Sequence, residues 1–346
     1  MRSLNNRALI AMSGGIDSSV SAFLMQEQGY DCAGITLALS GCSMLDAGDA
    51  RSIAYALNMQ HYIFNFEDDF KEEVIDRFVN AYIHGATPNP CVDCNKFIKF
   101  KKIFECANEL DYSYIATGHY AQICETNGRY LLKKGADIKK DQSYVLYNLT
   151  QEQLARVRFP LGGLTKPEVR AIAEANNFIN AKKRESQDIC FIPDGDYAAY
   201  IEKYTGRTFP DGDFTDIAGN ILGRHKGIIR YTNGQRRGLG LALKEPMYVL
   251  NKNIETNVVT IGTNSELYSK SLIARDINLI ALNKIEHKLK VKARARYNQS
   301  EQPATVEQAG ADELRVEFDN PQRALTRGQS VVLYDGDIDI GGGAIV

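Results

Sequence analysis

The stretch Ser13-Gly14-Gly15-Ile16-Asp17-Ser18-Ser19 decides the fold of this chain. It stands between an apolar run at residues 7–12, which we predict to be a buried strand, and residues 18–28, which we predict to be a helix ended by Gly29. Glycines let the backbone turn sharply, and the N–H groups and positive dipole at a helix start suit a phosphate group. The unit therefore predicts a phosphate-binding loop in an α/β domain, against the alternative of a glycine turn that binds nothing.

This loop differs from the two commonest phosphate loops. It lacks the lysine of the G-x-x-x-x-G-K-[ST] loop of nucleoside triphosphatases. It also lacks the G-x-G-x-x-G spacing of dinucleotide-binding folds. We therefore expect a third kind of nucleotide site.

The rest of the chain divides into regions with different secondary-structure patterns. Short apolar runs at residues 31–39, 62–66 and 114–117 alternate with helical periodicity at residues 51–58, 71–84 and 97–110, which predicts a parallel sheet covered by helices on both faces. Beyond about residue 195, glycines and turn signals become frequent. Runs at residues 291–297, 313–318 and 330–334 are typical of a small all-β barrel or sandwich. We predict a catalytic domain at residues 1–195, a small α+β middle domain at 196–268 and a β-barrel-like domain at 269–346.

Composition limits where and how the protein works. The net charge of −2 gives no global positive field, so any nucleic-acid surface has to be a local patch. The seven cysteines are an odd number, which argues against a disulfide framework. The sequence shows neither a signal peptide nor an apolar stretch of about 18 residues that would span a membrane. We predict a cytoplasmic protein.

Two cysteine segments far apart in the chain carry the second chemical signal. Cys91 and Cys94 lie in Thr87-Pro88-Asn89-Pro90-Cys91-Val92-Asp93-Cys94-Asn95, where two prolines fix an extended entry into a helix. We predict that Cys94 lies near that helix N-terminus, whose dipole lowers the pKa of its thiol. Cys190 follows the basic run Lys182-Lys183-Arg184, which also favours a thiolate.

Several interpretations of these cysteines stay open. Cys94 and Cys190 are redox partners that handle a persulfide, or Cys91, Cys94 and Cys190 ligate an iron–sulfur cluster with one open iron. A structural zinc site would need a fourth ligand and usually a second C-x-x-C, which the sequence lacks. A lone C-x-x-C can also be two half-buried small hydrophobes.

One segment has the charge pattern of a nucleic-acid surface. Five cations alternate with apolar residues, and period-two alternation places all five on one face of a strand, about 6.5 Å apart. They are Lys288, Lys290, Lys292, Arg294 and Arg296. Such a row indicates a phosphate backbone partner, with a solvated strand face as the alternative. His119 follows the fourth predicted strand, at the sheet edge where ligands of open α/β sheets bind.

Many motifs in the right order now point to one family. Over nearly its whole length the chain resembles the bacterial tRNA-specific 2-thiouridylases, a branch of the PP-loop ATP pyrophosphatase superfamily whose signature S-G-G-x-D-S matches residues 13–18. The further matching motifs are residues 87–100, Ala116-Thr117-Gly118-His119-Tyr120, Lys140-Asp141-Gln142-Ser143-Tyr144, residues 186–192, Gly234-Gln235-Arg236-Arg237-Gly238-Leu239-Gly240 and Gly341-Gly342-Gly343.

The resemblance implies a role for each matching position. Cys94 matches the family's nucleophile and Cys190 its persulfide-carrying cysteine. The positions that match an ATP site are Ala11, Met12, Ser13, Gly14, Gly15, Ile16, Asp17, Ser18, Leu37 and Gly118. Those that match the target-base contact are Asn89, Pro90 and Cys91. Those that match other tRNA contacts are His119, Lys140, Asp141, Gln142, Arg296, Tyr297 and Gln329.

The chain departs from the family at one important position. Many members carry aspartate, with an assigned acid/base role, where this sequence has Cys91. A cysteine cannot fill that role in the same way, but it completes a three-cysteine set with Cys94 and Cys190. We therefore keep Cys91 as a catalytic candidate and a [4Fe-4S] cluster as an alternative to the persulfide.

The resemblance implies ATP-dependent replacement of the C2 oxygen of the wobble uridine by sulfur. ATP with Mg²⁺ adenylates the flipped-out base, and sulfur then displaces AMP. The implied partners are tRNA and a sulfur-donating protein, either a cysteine desulfurase or a relay protein. The alternatives are a PP-loop ligase or amidotransferase acting on a small molecule, and a non-catalytic RNA-binding module.

Overall fold

A computed structural model of the chain describes residues 5–39, 43–181, 183 and 189–346, apart from the side chains of residues 43–46. Its strands are β1 (Arg7–Ala11), β2 (Asp31–Ala38), β3 (Gln60–Asn65), β4 (Tyr114–Ala116), β5 (Ala121–Thr126), β6 (Arg129–Lys134), β7 (Val157–Arg158), β8 (Gly212–Thr215), β9 (Ile221–His225), β10 (Tyr248–Asn253), β11 (Val258–Gly262), β12 (Tyr268–Leu279), β13 (Leu289–Arg294), β14 (Gln302–Gly310), β15 (Glu313–Arg323), β16 (Ser330–Asp335) and β17 (Ile338–Ile345).

The helices are also numbered in chain order. They are α1 (Ile16–Glu27), α2 (Ser43–Ala56), α3 (Glu67–Phe70, continued by the π-helical Lys71–Asp76 and by Arg77–Ile83), α4 (Pro90–Asp93, continued by the π-helical Cys94–Lys99 and by Phe100–Glu109), α5 (Gln151–Arg156), α6 (Lys166–Ala175) and α7 (Tyr197–Thr205). Within the described ranges, no helix is long and apolar enough to span a bilayer.

The N-terminal part is built on a parallel sheet, as predicted. Five strands pair in the order β3-β2-β1-β4-β7, and every pairing is parallel. The central strand β1 has Ala8, Leu9 and Ile10 fully buried, because helices cover both faces of the sheet. The fifth strand, β7, is only two residues long, too short to give a sequence signal.

Two of the predicted helices are longer than their apolar stripes indicated. The stripe at residues 71–84 lies in α3 and the stripe at 97–110 in α4, and each helix contains a π-helical segment. Helix α4 begins at Pro90, where Asn89 caps it by accepting a hydrogen bond from the Cys91 amide at 3.1 Å. Proline in the first turn and asparagine at the cap are typical of a helix start.

The middle part is a small mixed unit. Four strands pair in the order β10-β11-β8-β9, and α7 accompanies them. Phe214, Val249 and Ile261 are fully buried in a cluster that also holds residues of α3 and α4. The middle unit is therefore packed directly onto the helices that carry the predicted cysteines.

The C-terminal part is a closed barrel, which confirms the prediction. Its six antiparallel strands run β12-β15-β14-β13-β16-β17, and β12 pairs with β17 to close the ring. The hairpin β5–β6 of the N-terminal part adds to the same sheet, with Ile338 opposite Lys133 and Asp339 opposite Leu132. Asn127-Gly128, both at positive φ, forms the tight turn of that hairpin. The first and third parts therefore share a continuous sheet.

Candidate active site

The loop after β1 is shaped to receive phosphate. Gly15 stands at the N-terminus of α1, and no side chain caps that helix. The loop is braced from behind, because Ser18 Oγ donates to the Gly15 carbonyl at 2.9 Å and Asn180 Nδ2 donates to the Gly14 carbonyl at 3.0 Å. The first-turn N–H groups of α1 have no intrahelical acceptor, so they are available to an anion.

A buried lysine supplies the charge that the loop sequence lacks. Lys166, at the start of α6, places Nζ at 2.8 and 2.9 Å from the two carboxylate oxygens of Asp17. Tyr120 Oη donates to the same carboxylate at 2.7 Å. The sequence prediction missed Lys166, which lies 149 residues from Asp17. The capping box that Thr165 forms with Glu168 could have signalled the start of α6, but not its position against the loop.

Two further ATP-matching positions lie beside the loop. A Cβ built on Gly118 would come within 2.9 Å of the backbone of Asp17 and 3.0 Å of the Ser18 amide nitrogen, so only glycine fits there. Leu37, near the end of β2, packs against the apolar cluster that holds Cys94 and Ile189. Leu37 and Cys94 therefore pack against the same apolar cluster.

The structure brings the three candidate cysteines together. Cys94 is half-buried in α4, whereas Cys91 and Cys190 are exposed to solvent. Cys190 and Cys91 both act electrostatically on Cys94, and Cys91 acts on Cys190. Such mutual effects arise only between neighbouring groups, so the two segments, almost a hundred residues apart, meet at one site.

The predicted activation of these thiols is wrong for the structure as described. Burial raises the pKa of Cys94 to about 12, and desolvation also raises the pKa of Cys190. Helix α4 begins four residues before Cys94, so Cys94 lies beyond the first turn, where the helix dipole acts. Desolvation therefore determines the direction of the pKa shift of Cys94. In the basic run before Cys190, Lys183 is paired with Asp49 at 2.8 Å, and Lys182 and Arg184 lie outside the described residues.

The other cysteines that the structure describes have the burial of packing residues. Cys32 and Cys106 are buried and Cys124 is half-buried on β5, as expected of packing residues. Cys42 lies outside the described residues, as does the matching segment at 186–188. All the cysteines that the structure describes are free thiols.

The three thiols are not arranged as a ready metal site. Among the described residues, no group of three or more histidine, cysteine or acidic side chains is placed to hold a metal ion. The three thiols are therefore close enough to influence one another, but they do not fit a cluster in this arrangement.

His119 is a buried residue next to the loop. Its ring packs against Phe100 and Phe159, with centroids 5.8 and 6.0 Å away, and Nδ1 lies 2.8 Å from Thr117 Oγ1. Burial holds the pKa of His119 well below its usual range, and the nearby charge of Lys99 adds to this. The ring is therefore neutral at pH 7, and it faces protein in this conformation.

Several positions that match tRNA contacts serve the structure itself. Asp141 is buried, accepts hydrogen bonds from the Gly135 and Ser143 amides, and pairs with Arg294 at 3.2 Å. Gln142 accepts a hydrogen bond from the Tyr120 amide at 3.0 Å, and Lys140 is half-buried.

The matching barrel residues face the cysteine segment. Gln329 Nε2 donates to the Thr87 carbonyl at 2.6 Å. Cys91 contributes to the raised pKa of Tyr297, which places that ring near the thiols. Arg296 donates to the backbone carbonyls of Asn233 and Ala324 at 3.2 and 2.7 Å. The Thr87–Cys91 segment therefore lies against one end of the barrel.

The basic strand has the predicted alternation but fewer free charges than expected. Val291 and Ala293 are buried, while Lys290 and Lys292, which alternate with them, are exposed. Three of the five cations have partners: Lys288 pairs with Glu307 at 3.4 Å, Arg294 pairs with Asp141, and Arg296 binds backbone carbonyls. Within the described part of the chain, Lys290 and Lys292 have no acidic partner, so they are the charges open to a polyanion.

Together these features define a class of protein. A phosphate loop without its own lysine follows the first strand of a parallel sheet, two distant cysteine segments meet at one site, and a barrel contacts one of those segments. This is the architecture of a PP-loop nucleotide-binding enzyme. Family models match the chain as a tRNA methyl transferase HUP domain at residues 6–194, a tRNA methyl transferase PRC-barrel domain at 198–263 and an aminomethyltransferase beta-barrel domain at 269–345.

Curated relatives narrow the class to one family. A Clostridioides difficile protein named tRNA-specific 2-thiouridylase MnmA is 47% identical over 355 residues, which cover 99% of this chain and 98% of that protein. A Thermoanaerobacter protein named tRNA-specific 2-thiouridylase MnmA 1 is 48% identical over 356 residues, with the same coverage of 99% and 98%. The chain belongs to the tRNA-specific 2-thiouridylase family.

Proposed function

We propose that this protein uses ATP to replace the C2 oxygen of the wobble uridine in tRNA with sulfur. The observation that carries the proposal is a chain of contacts that leads from the phosphate loop to the helix that carries Cys94. Gly118 touches the loop, His119 beside it packs on Phe100 of α4, and the same helix carries Cys94 next to Cys190. Activation by ATP and transfer of sulfur can therefore take place in one cleft.

The first half of the reaction activates the base. The uridine leaves its stack to reach the cleft, and its C2 oxygen attacks the α-phosphate of ATP bound at residues 13–18. Pyrophosphate leaves and the oxygen now carries AMP, which is a good leaving group. The N–H groups at the start of α1 and the ammonium of Lys166 stabilise the phosphate charge during this step.

The second half transfers sulfur. The terminal sulfur of a persulfide on Cys190 attacks C2, and AMP departs with the C2 oxygen. The Cys94 thiolate then attacks the Cys190 sulfur, the bond between that sulfur and the transferred sulfur breaks, and the thiolated base is released. A Cys94–Cys190 disulfide remains, and a thiol reductant restores both thiols with two electrons.

The proposed reaction also involves a metal ion and a partner protein that supplies sulfur. Asp17 supplies a carboxylate at the loop and would hold an Mg²⁺ ion that arrives with ATP and neutralises phosphate charge. A [4Fe-4S] cluster does not fit the described arrangement of Cys91, Cys94 and Cys190, so no step is assigned to it. The exposed Cys190 suits loading by a sulfur-donating protein, either a cysteine desulfurase or a relay protein.

We infer three functional units with the predicted limits. Residues 1–195 activate and thiolate the base, residues 196–268 support the helices that carry the cysteines, and residues 269–346 contact tRNA. The family-model matches at residues 6–194, 198–263 and 269–345 support this division. A cytoplasmic location is proposed from the odd number of cysteines and from the tRNA substrate.

Other reactions explain fewer of the features. Methyl transfer, which the descriptions of the matched domain models name, needs neither a pyrophosphate loop nor two thiols. A ligase or amidotransferase acting on a small molecule would not need the barrel that faces Cys91 or the exposed Lys290 and Lys292. A non-catalytic RNA-binding module would not need a braced phosphate loop.

The test is a reconstituted reaction with unmodified tRNA, ATP, Mg²⁺ and a persulfide donor. Nucleoside mass spectrometry should detect 2-thiouridine, and AMP and pyrophosphate should form only when tRNA is present. Cys94→Ser and Cys190→Ser should each abolish the product, whereas Cys124→Ser, a matched change on β5, should not. Normal thiolation by the Cys94→Ser variant would refute the assigned roles.

A further inference from the structure

We propose that the ammonium group of Lys99 is the counter-charge for the sulfur anions that the reaction forms at Cys94 and Cys190. The proposal rests on the proposed function and adds to it a residue that lies within the matching motif at residues 87–100 but was not assigned a role there. Lys99 would act through the two cysteines, so we describe it as a positioning residue for charge.

The geometry of α4 places Lys99 on the same side of the helix as Cys94. Cys94 and Lys99 are the first and last residues of the π-helical segment in α4. A π-helix joins residues i and i+5 by a hydrogen bond, so these two side chains stand one turn apart on the same side. An α-helix turns about 100° per residue and would place them about 140° apart. The π-helical segment therefore brings the lysine to the thiol side of α4.

The groups around Cys94 and Cys190 disfavour a negative charge on either sulfur atom. Apolar surroundings penalise a thiolate on either cysteine, and Cys190 and Cys91 add negative charge at Cys94 when they ionise. Lys99 is the basic side chain that opposes this penalty at Cys94 and again at Cys190. One residue therefore faces both thiols.

Among the described residues, no carboxylate neutralises the charge of Lys99. Its side chain is half-buried, and no described carboxylate forms an ion pair with it. The neighbouring Lys102, by contrast, binds Asp69 at 2.6 Å. His119 cannot substitute as the cation, because burial keeps its ring neutral. A half-buried cation whose charge acts on two thiols and a neutral imidazole fits a site where negative charge appears during turnover.

The chemistry requires such a charge at two moments. The persulfide on Cys190 attacks as an anion, and Cys94 attacks the Cys190 sulfur as a thiolate. In both steps the ammonium lowers the energy of the sulfur anion and exchanges no proton with it, while the thiol protons pass to solvent. Lys99 therefore makes the anionic forms accessible near neutral pH although burial opposes them.

The test measures thiolate formation directly, without ATP or tRNA. The reduced protein is treated with iodoacetamide at pH 8, and mass spectrometry follows alkylation at Cys94 and Cys190 separately. Because the pKa of Cys94 lies far above pH 8, its alkylation rate is proportional to its thiolate fraction. Loss of one facing cation shifts a pKa by about one unit, so Lys99→Met should slow alkylation at both cysteines about tenfold.

Three variants serve as controls. Lys99→Arg keeps the charge and should retain most of the rate, Lys99→Gln should behave like Lys99→Met, and Lys101→Met changes an exposed lysine of the same helix and should have no effect. Folding of each variant is checked by thermal unfolding. Wild-type alkylation rates in both folded Lys99→Met and Lys99→Gln would overturn the inference, as would a slow Lys99→Arg.

The outcome for Lys99 is separable from the outcome for the function. If the wild-type protein thiolates tRNA but the Lys99 variants are alkylated at the wild-type rate, only the proposed role of Lys99 is refuted. If the wild-type protein does not thiolate tRNA, the proposed function fails, whatever the alkylation rates are.

Discussion

Replacing Lys252 by methionine should stabilise the protein. Lys252 lies on β10, where it is 9% exposed, and its Nζ is buried without a hydrogen-bond partner. Burial lowers its pKa from 10.5 to about 8. The difference between these two pKa values corresponds to about 3 kcal/mol of unfavourable charge burial at neutral pH. The Tyr82 ring, whose centroid lies 5.8 Å from Nζ, offsets about 1 kcal/mol. We therefore expect a gain of about 2 kcal/mol from Lys252→Met.

The pH dependence gives an independent check of this prediction. Because the folded-state pKa of Lys252 is lower than the unfolded one, the unfolded state binds more protons between pH 8 and 10.5. The cost is therefore fully present below about pH 8, and this contribution to stability rises with pH across that window. The Lys252→Met variant should lack this contribution.

Urea unfolding followed by tyrosine fluorescence, at pH 7 and at pH 9.5, measures both effects. The free energy of unfolding of the variant should exceed that of the wild type at pH 7, and the difference should shrink at pH 9.5. Lys203→Met, a change of an exposed lysine on α7, is the matched control. A variant less stable than the wild type at pH 7, or a difference independent of pH, would refute the reasoning.

Four further predictions concern the loop and the barrel. Lys166→Met should raise the Kd for ATP about tenfold or more, as measured by calorimetry, because the buried ammonium is lost from the loop. Gly118→Ala should weaken ATP binding and also lower the unfolding midpoint, because the added Cβ displaces the loop backbone. Arg294→Met should destabilise the fold by about 3 kcal/mol in urea titrations, because it leaves the Asp141 carboxylate buried without its partner. Lys292→Met, on the same strand but exposed, should leave stability unchanged and lower both tRNA affinity and the salt dependence of binding in filter assays.

Local patterns were sufficient to predict most of the scaffold. Strand β1, the glycine loop and α1 were predicted because the chain signals them within about twenty residues, through an apolar run, a turn and a helical stripe. The barrel was predicted from short β runs and frequent turn signals, and the period-two alternation predicted for the basic segment is retained in β13. Strand β7 was missed because two residues give no periodic signal. The addition of the hairpin β5–β6 to the barrel sheet was missed because its partner strand β17 lies about 200 residues away in the chain.

The sequence by itself determined which residues are available for chemistry: a phosphate loop without a lysine, and two reactive cysteines in separate segments. Only the tertiary structure decided how they behave. It brings Lys166 into contact with Asp17 and places Lys99 on the thiol side of α4. It also raises the pKa of Cys94, which the helix start alone would have lowered. The physical reason is that solvation and charge interactions depend on distances in space, and chain positions fix such distances only within a few residues.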